Sequence, residues 1–470
     1  MVYSEAIKIK PPEKQIITSW NLHESAKMFI LAPNNYDELL SCIDFAKKNN
    51  LKIAIKGGGN SFSGVNQYDG QLLVDVKNLN SIKSFDAKNG IIEVESGLRI
   101  GNLLLTILPK NWNVVGISGS LNDTIGGMIS GNTHGKDSWK NGNFGHNVIS
   151  LKILLADGKT IEINEASYPE FFNGVIAGLG FLGIVFEVKL KLTPIPSYMV
   201  EATYNRISNF NDLFEKFYSF DETGVNFSYA TLDPFASNSS MGRGIMESAR
   251  YMNKNTSSEN ELRKSLIQKS KINNISPEKF WFLFRIVWGY EACKLMNKVR
   301  YLRAGLKKKS VIVYGKYQYP LESTLPKLNL LYAPKGFIEF HCLFEKENVL
   351  EAFKDLLLCS KRINREPWIC GVKRHISDSS YLSFQGDGLG ITMNFPLKYF
   401  SETDVKKYTD ELLKIILHFE GKVYLSKNSV LPKDAFQKMY PKYKKMIELK
   451  KKYDPDNLFL SNATKRLLID

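Results

Sequence analysis

LKIAIKGGGNSFSGVNQYDGQLLVDV, residues 51–76, decides how the first part of the chain is read. Residues 51–56 (LKIAIK) have the pattern of a short strand, and residues 71–76 (QLLVDV) have that of a second. Between them GGGNSFSG, residues 57–64, is a turn nearly free of side-chain bulk. A Rossmann unit opens a helix directly after its glycines, whereas here Phe62, Ser63 and Gly64 run on into loop before another strand, which disfavours that fold. Three successive glycines instead let backbone N–H groups converge on an anion such as a pyrophosphate.

Working outward, NYDELLSCIDFAKKN (35–49) puts Leu39, Leu40, Ile43 and Ala46 on one helical face, with Asn35 as cap. Strands are expected at 91–95, 148–156 and 160–164, the last two joined by Asp157-Gly158, a strong hairpin signal. A helix near 169–177 follows, and then IVFEVKLKL (184–192) alternates as a half-buried strand does. Thr193-Pro194-Ile195-Pro196 punctuates the chain, and a first domain, 1–195, is read as ending there. Residues 236–278 are rich in Ser, Asn and Lys with little periodicity, which predicts a long mobile excursion able to act as a lid. Residues 280–303 read as helical and dense in aromatics, followed by Lys307-Lys308-Lys309. That composition suits either a helix lying on a lipid interface or a core helix with a solvated basic end.

Composition narrows the class. A chain of 470 residues exceeds one core and implies roughly two to four domains. Its 43% hydrophobic and 24% charged residues are ordinary for a globular protein. Residues 1–15 have no apolar stretch followed by a small-residue cleavage site, so no secretory signal is read. FWFLFRIVWGY (280–290) is far short of the ~20 residues that span a bilayer and contains Arg285. The expected location is therefore cytoplasmic, with peripheral contact at the membrane surface open. Five scattered cysteines, with no CxxC pair and no His/Cys cluster at ligand spacing, argue against disulfides and metal. The net charge of +15 favours an anionic partner. No nucleic-acid module accompanies it, and no nucleic-acid partner is expected.

A second glycine-rich run, SGSLNDTIGGMISGNTHGKDSW (118–139), implies close backbone approach to a large flat ligand. Together the two runs resemble the vanillyl-alcohol oxidase superfamily of FAD enzymes. The similarity extends through HGKDSWKNGNFGHNVISLKILLADGKTIEI, PEFFNGVIAGLGFLGIVFEVKLKLTP and GKVYLSKNS…MYPKY…YDPDNLFLSNATKRL. In order and spacing these resemble the decaprenylphosphoryl-β-D-ribose 2-oxidase family. The resemblance implies an α+β, two-lobed PCMH-type FAD-binding fold with an antiparallel-sheet substrate domain over 196–421, and a segment 422–470 that returns to the FAD lobe.

It also implies hydride transfer from a sugar carbon, C2 of a polyprenyl-phosphate-linked pentose, to the flavin. The pyrophosphate turn falls on Gly57, Gly58, Gly59, Asn60, Ser61 and Phe62. The flavin-facing segment falls on Gly119, Ser120, Thr124, Gly127, His134 and Gly135, with Ile184 and Tyr424 as further cofactor contacts. Asn60 and Ser61 stand where many members attach FAD through histidine, so FAD is expected to be non-covalent. Taken alone, His134 between glycines reads as a structural hydrogen-bonder; the resemblance places it beside the flavin ring as a catalytic residue. Lys427 matches the family's active-site lysine, and its charge can hold substrate or stabilise reduced flavin.

Gln318, Glu339, His341, Lys373 and Thr392 match substrate-pocket positions. Glu339 and His341 share one side of a strand. They replace amides usual in the family, Thr392 replaces a cysteine, Phe62 a tyrosine and Thr231 a tryptophan, so the substrate is not simply transferable. A carboxylate at 339 can serve as general base. The resemblance further implies a sugar or prenyl-phosphate sugar as substrate, a quinone or O2 as electron acceptor and a keto-sugar reductase as partner. The alternatives are a soluble aldonolactone or alditol oxidase, or a flavin lobe retained only for ligand binding.

Overall fold

The computed structural model describes residues 12–222, 224–304, 309–322 and 324–469; Lys307 and Lys308 of the basic run lie outside the described residues. The deciding stretch forms the strands Ile53–Lys56 and Leu72–Asp75, paired in parallel and joined by loop with no helix between them. Ser25–Leu31 adds in parallel to Leu72–Asp75, and Lys14–Thr18 adds antiparallel at the edge, completing a four-stranded sheet. The helix Tyr36–Lys48 covers it, capped by the Asn35 side chain accepting from the Glu38 N–H. Its buried face is Leu39, Cys42, Ile43 and Ala46, packed with Ile53, Leu72 and Val74.

A five-stranded antiparallel sheet follows, in the order Ile82–Asp86, Ile91–Glu95, Ile184–Lys191, Val148–Leu154, Thr160–Ile163. The expected hairpin turns at Asp157-Gly158, where Gly158 takes φ of +91°. The third sheet has eight strands, ordered Lys309–Val313, Met199–Ile207, Gly244–Tyr251, Phe227–Leu232, Ile369–His375, Gly388–Pro396, Phe337–Glu345, Lys422–Val423. All its pairings are antiparallel.

Two expectations need correction. Residues 236–278 are not simply a loop, because Gly244–Tyr251 lies inside the large sheet, bonded on both edges. Its polar residues are satisfied by sheet neighbours and ion pairs, and this hides the strand pattern. Residues 280–303 fold as two helices, Pro277–Val287 and Tyr290–Arg303, broken at Trp288-Gly289. The first is no core helix: Trp281 is buried, whereas Phe282, Leu283, Ile286 and Val287 lie on an uncovered face, Val287 at 73% exposure.

The chain's end packs against its beginning. Ile53 donates to the Leu458 carbonyl and accepts from the Leu460 N–H. The buried Lys450 ammonium donates to the carbonyls of Phe181 and Phe459 and pairs with Asp454 at 2.6 Å. Asp454 also accepts from the N–H groups of Leu458 and Phe459. Asp454→Ala strands a buried charge and two amides, and is expected to cost about 3–5 kcal/mol. A denaturant midpoint within error of wild type would contradict this assignment.

Candidate active site

The two glycine-rich runs meet face to face. A Cβ on Gly57 would lie 2.1 Å from Thr124 Oγ1, and one on Gly58 2.3 Å from the backbone oxygen of Asn122. Gly59 sits at φ +73°, a conformation that L side chains resist. No hydrogen bond within the described residues uses the N–H groups of Gly58 or Gly59. The turn thus presents unspent amide donors, which is what a bound phosphate requires. The turn is tied to the C-terminal segment: the Ser426 carbonyl accepts from Phe62 N–H at 3.0 Å and from Ser61 Oγ at 2.7 Å.

Between the two runs, the large sheet and residues 424–427 lies a cavity of about 780 Å³. Glu339 is 2% exposed, accepts from Asn394 Nδ2 at 2.7 Å and faces Lys427 Nζ at 3.3 Å. The Lys427 ammonium also stands over the Phe62 ring, which stacks on Trp20. Asn428 donates to the Glu339 carbonyl, and Tyr424 N–H to that of His341, so the segment bearing Lys427 is fastened to the strand bearing Glu339. Burial, aided by the charges of Lys427 and Lys136, pushes Lys373 down to about 7. Burial also holds His134 and His341 far below the ordinary imidazole range, and His375 down to about 3, so all three rings are neutral at pH 7.

Residues 28–164 match the FAD binding domain family, and residues 347–467 match the D-arabinono-1,4-lactone oxidase family. The chain is 24% identical to decaprenylphosphoryl-beta-D-ribose oxidase of Mycolicibacterium smegmatis over 433 residues, 90% of each chain. It is 28% identical to L-gulonolactone oxidase of Mus musculus over 163 residues, covering 34% of this chain and 36% of that one. Among solved structures, Physcomitrella patens BBE-like 1 superposes with a TM-score of 0.67 at 16% identity, covering 97% of this chain and 94% of the other. The chain thus carries a FAD binding domain match in its first lobe, a lactone oxidase match near its end, and the overall fold of the BBE-like structure. It is a FAD-dependent oxidoreductase of the two-lobed PCMH-type fold, acting on CH–OH groups.

In this FAD-dependent oxidoreductase the unspent amides of the first turn, the flat glycine-lined wall and the cavity fit the cofactor. The structure gathers all the residues singled out in the sequence around the one cavity except Ser120, Gly135 and Ile184. Ser120 lies behind the first turn, bonded to Glu322 and Asn60. Gly135 donates to Ser138 Oγ, beneath the cavity wall. The Ile184 side chain is fully buried in the core with Leu39 and Leu72, and its neighbours Gly183 and Val185 line the cavity instead. Gln318 reaches the cavity while donating to the carbonyls of Ile117 and Ser118.

Several lining residues were not read from sequence, among them Asn394, Lys136, Glu247 and Arg300. Asn394 was within reach, because it pairs directly with Glu339 across the sheet and Thr392 with His341. Gly58→Ala is expected to push the first turn off Asn122, and the purified protein should lose most of its yellow colour while keeping its circular dichroism. Full retention of FAD in that variant would remove the turn from the phosphate-binding role.

Proposed function

We propose that this FAD-dependent sugar or lactone oxidase removes hydride from a secondary hydroxyl carbon of a sugar carried on a polyprenyl phosphate, the C2 of a pentose as the sequence resemblance implies. The observation that carries the reading is a buried carboxylate–ammonium pair, Glu339–Lys427, in a cavity adjoined by an uncovered apolar face. FAD bound in the cleft supplies the hydride acceptor. The Glu339 oxygen that faces Lys427 has no hydrogen-bond partner among the described residues, while its other oxygen is held by Asn394. It therefore offers a fixed proton acceptor for the substrate hydroxyl. Lys427, 3.3 Å from that carboxylate, positions the hydroxyl beside it, while His134, held neutral by burial, lends a ring nitrogen to substrate or cofactor. The electrons would pass on to a quinone or O2, and a keto-sugar reductase would consume the product.

The lipid-linked substrate is favoured by the helix Pro277–Val287. Phe282, Leu283, Ile286 and Val287 are all more than half exposed, and Arg285 stands over the Phe282 ring. Trp288, next in the chain, lines the cavity, as do Met296 and Arg300 of the following helix. Apolar side chains interleaved with cations suit the interface of an anionic bilayer. Among the described residues no helix is long and apolar enough to cross a membrane. The match of residues 347–467 to the lactone oxidase family favours the second reading, a soluble aldonolactone or alditol substrate.

Anaerobic bleaching of the flavin by prenyl-phosphate sugars, but not by free aldonolactones or alditols, is the expected result; the reverse selects the second reading. Lys427→Ala and Glu339→Gln should each slow bleaching by about 100-fold or more while FAD stays bound. Bleaching at the wild-type rate would end their assignment. With substrate embedded in anionic vesicles, Ile286→Asp/Val287→Asp is expected to lower turnover severalfold yet leave turnover of a detergent-free, short-chain substrate unchanged. Equal turnover in vesicles would detach this face from the reaction.

A further inference from the structure

The sequence holds six histidines, and three of them, remote from one another along the chain, meet in space. His134 follows the helix Ile125–Gly131, His341 lies in the strand Phe337–Glu345, and His375 ends the strand Ile369–His375. One ring nitrogen from each lies within 4.8 Å of the others. The three residues are 5%, 2% and 0% exposed. His134 Nδ1 and both nitrogens of His341 and of His375 make no hydrogen bond among the described residues. Each buried polar atom left unpaired costs about 1–3 kcal/mol, so five together call for an occupant that satisfies several at once.

Local sequence makes the room. Gly390, on the strand between those of His341 and His375, leaves open the point on which they converge. A Cβ there would lie 2.9 Å from His375 Nε2 and 3.4 Å from His341 Nε2. On its other side His341 turns Nδ1 toward Glu339 Oε1, 4.0 Å away. The carboxylate makes no hydrogen bond to the ring at that distance, but it stands on the side from which an acceptor orients a metal-binding histidine, with Nε2 facing the shared point.

We propose that His134, His341 and His375 form a three-imidazole site for a divalent transition metal ion of the zinc class. An all-nitrogen set suits Zn, Co, Ni, Cu or Fe and is unsuited to Mg or Ca, which take oxygen ligands. Bonds of about 2.0–2.1 Å bring tetrahedral ligand atoms to roughly 3.4 Å apart, so the rings close inward by about 1 Å, a movement available to χ rotation without backbone change. Three protein ligands leave one position open. Because His134 and His341 line the cavity and His375 does not, that position faces the cavity, where water or a substrate oxygen completes the shell. Lys373 and Lys427 stand at the edge of the cluster, and Glu339 offsets the second. The site does not depend on which sugar is oxidised.

The test uses full-length, FAD-loaded protein made without a histidine tag, equilibrated with Zn2+ or Co2+, dialysed and counted by plasma mass spectrometry. About one equivalent per chain is expected, with Co2+ giving the visible bands of a four-coordinate ion at wavelengths beyond the flavin absorption. His375→Gln alters a ring that does not line the cavity, and Gly390→Ala keeps all three rings but fills their meeting point; each should drop retention to about a tenth or less while the yellow colour persists. Retention below about a tenth of an equivalent by wild type, or wild-type retention by either variant with its flavin still bound, overturns the site.

Discussion

One carbonyl oxygen, that of Ser426, holds the active site together. It accepts from the Phe62 amide and from the Ser61 hydroxyl, joining the first glycine turn to a segment near the opposite end of the chain. Glycines cannot fix a turn by side-chain packing, so an outside acceptor must do it, and the same segment carries Tyr424 and Lys427. Tyr424 in turn donates through its hydroxyl to the Gly131 carbonyl, at the end of the short helix in the second glycine run. Two flexible stretches are thus set against each other by a third that neither adjoins in sequence.

The polar floor of the cavity obeys the same economy of pairing. A buried carboxylate is tolerable only when its charge is offset, and Glu339 is paired with the Lys427 ammonium while one of its oxygens accepts from Asn394. Sheet register supplies the geometry, since Glu339 opposes Asn394, His341 opposes Thr392, and Lys373 opposes Gly390 on the far side of the same strand. Alternation then turns one face of three adjacent strands into a chemically active surface, while Phe340 and Cys342 on the other face are buried in the core.

What could be read in the sequence follows from how few alternatives each residue had. Gly57 to Gly59 admit little besides a tight turn against a ligand, and the alternation of 184–192 fixes a half-buried strand, so the FAD lobe was legible. Ile184 shows the limit: on a strand one position decides the face, and the cavity belongs to Val185. Gly244–Tyr251 was illegible because Glu247, which lines the cavity and pairs with Lys136, breaks the apolar pattern. The three-histidine cluster left no trace in spacing, because register across three strands brings His341 to His375 and a loop after the helix Ile125–Gly131 adds His134, all through contacts remote in sequence.

The pairing of Ile53 with Leu458 and Leu460 also bears on how the protein is made. Synthesis runs from the N-terminus, so the four-stranded sheet emerges early with the Ile53 backbone still missing its last partner. The intervening eight-stranded sheet emerges while that edge waits, and the first lobe is completed only once residues 458–460 have left the ribosome. A chain that stopped short of Leu458 would keep Ile53 at an open sheet edge, at the start of the strand that leads into the first glycine turn.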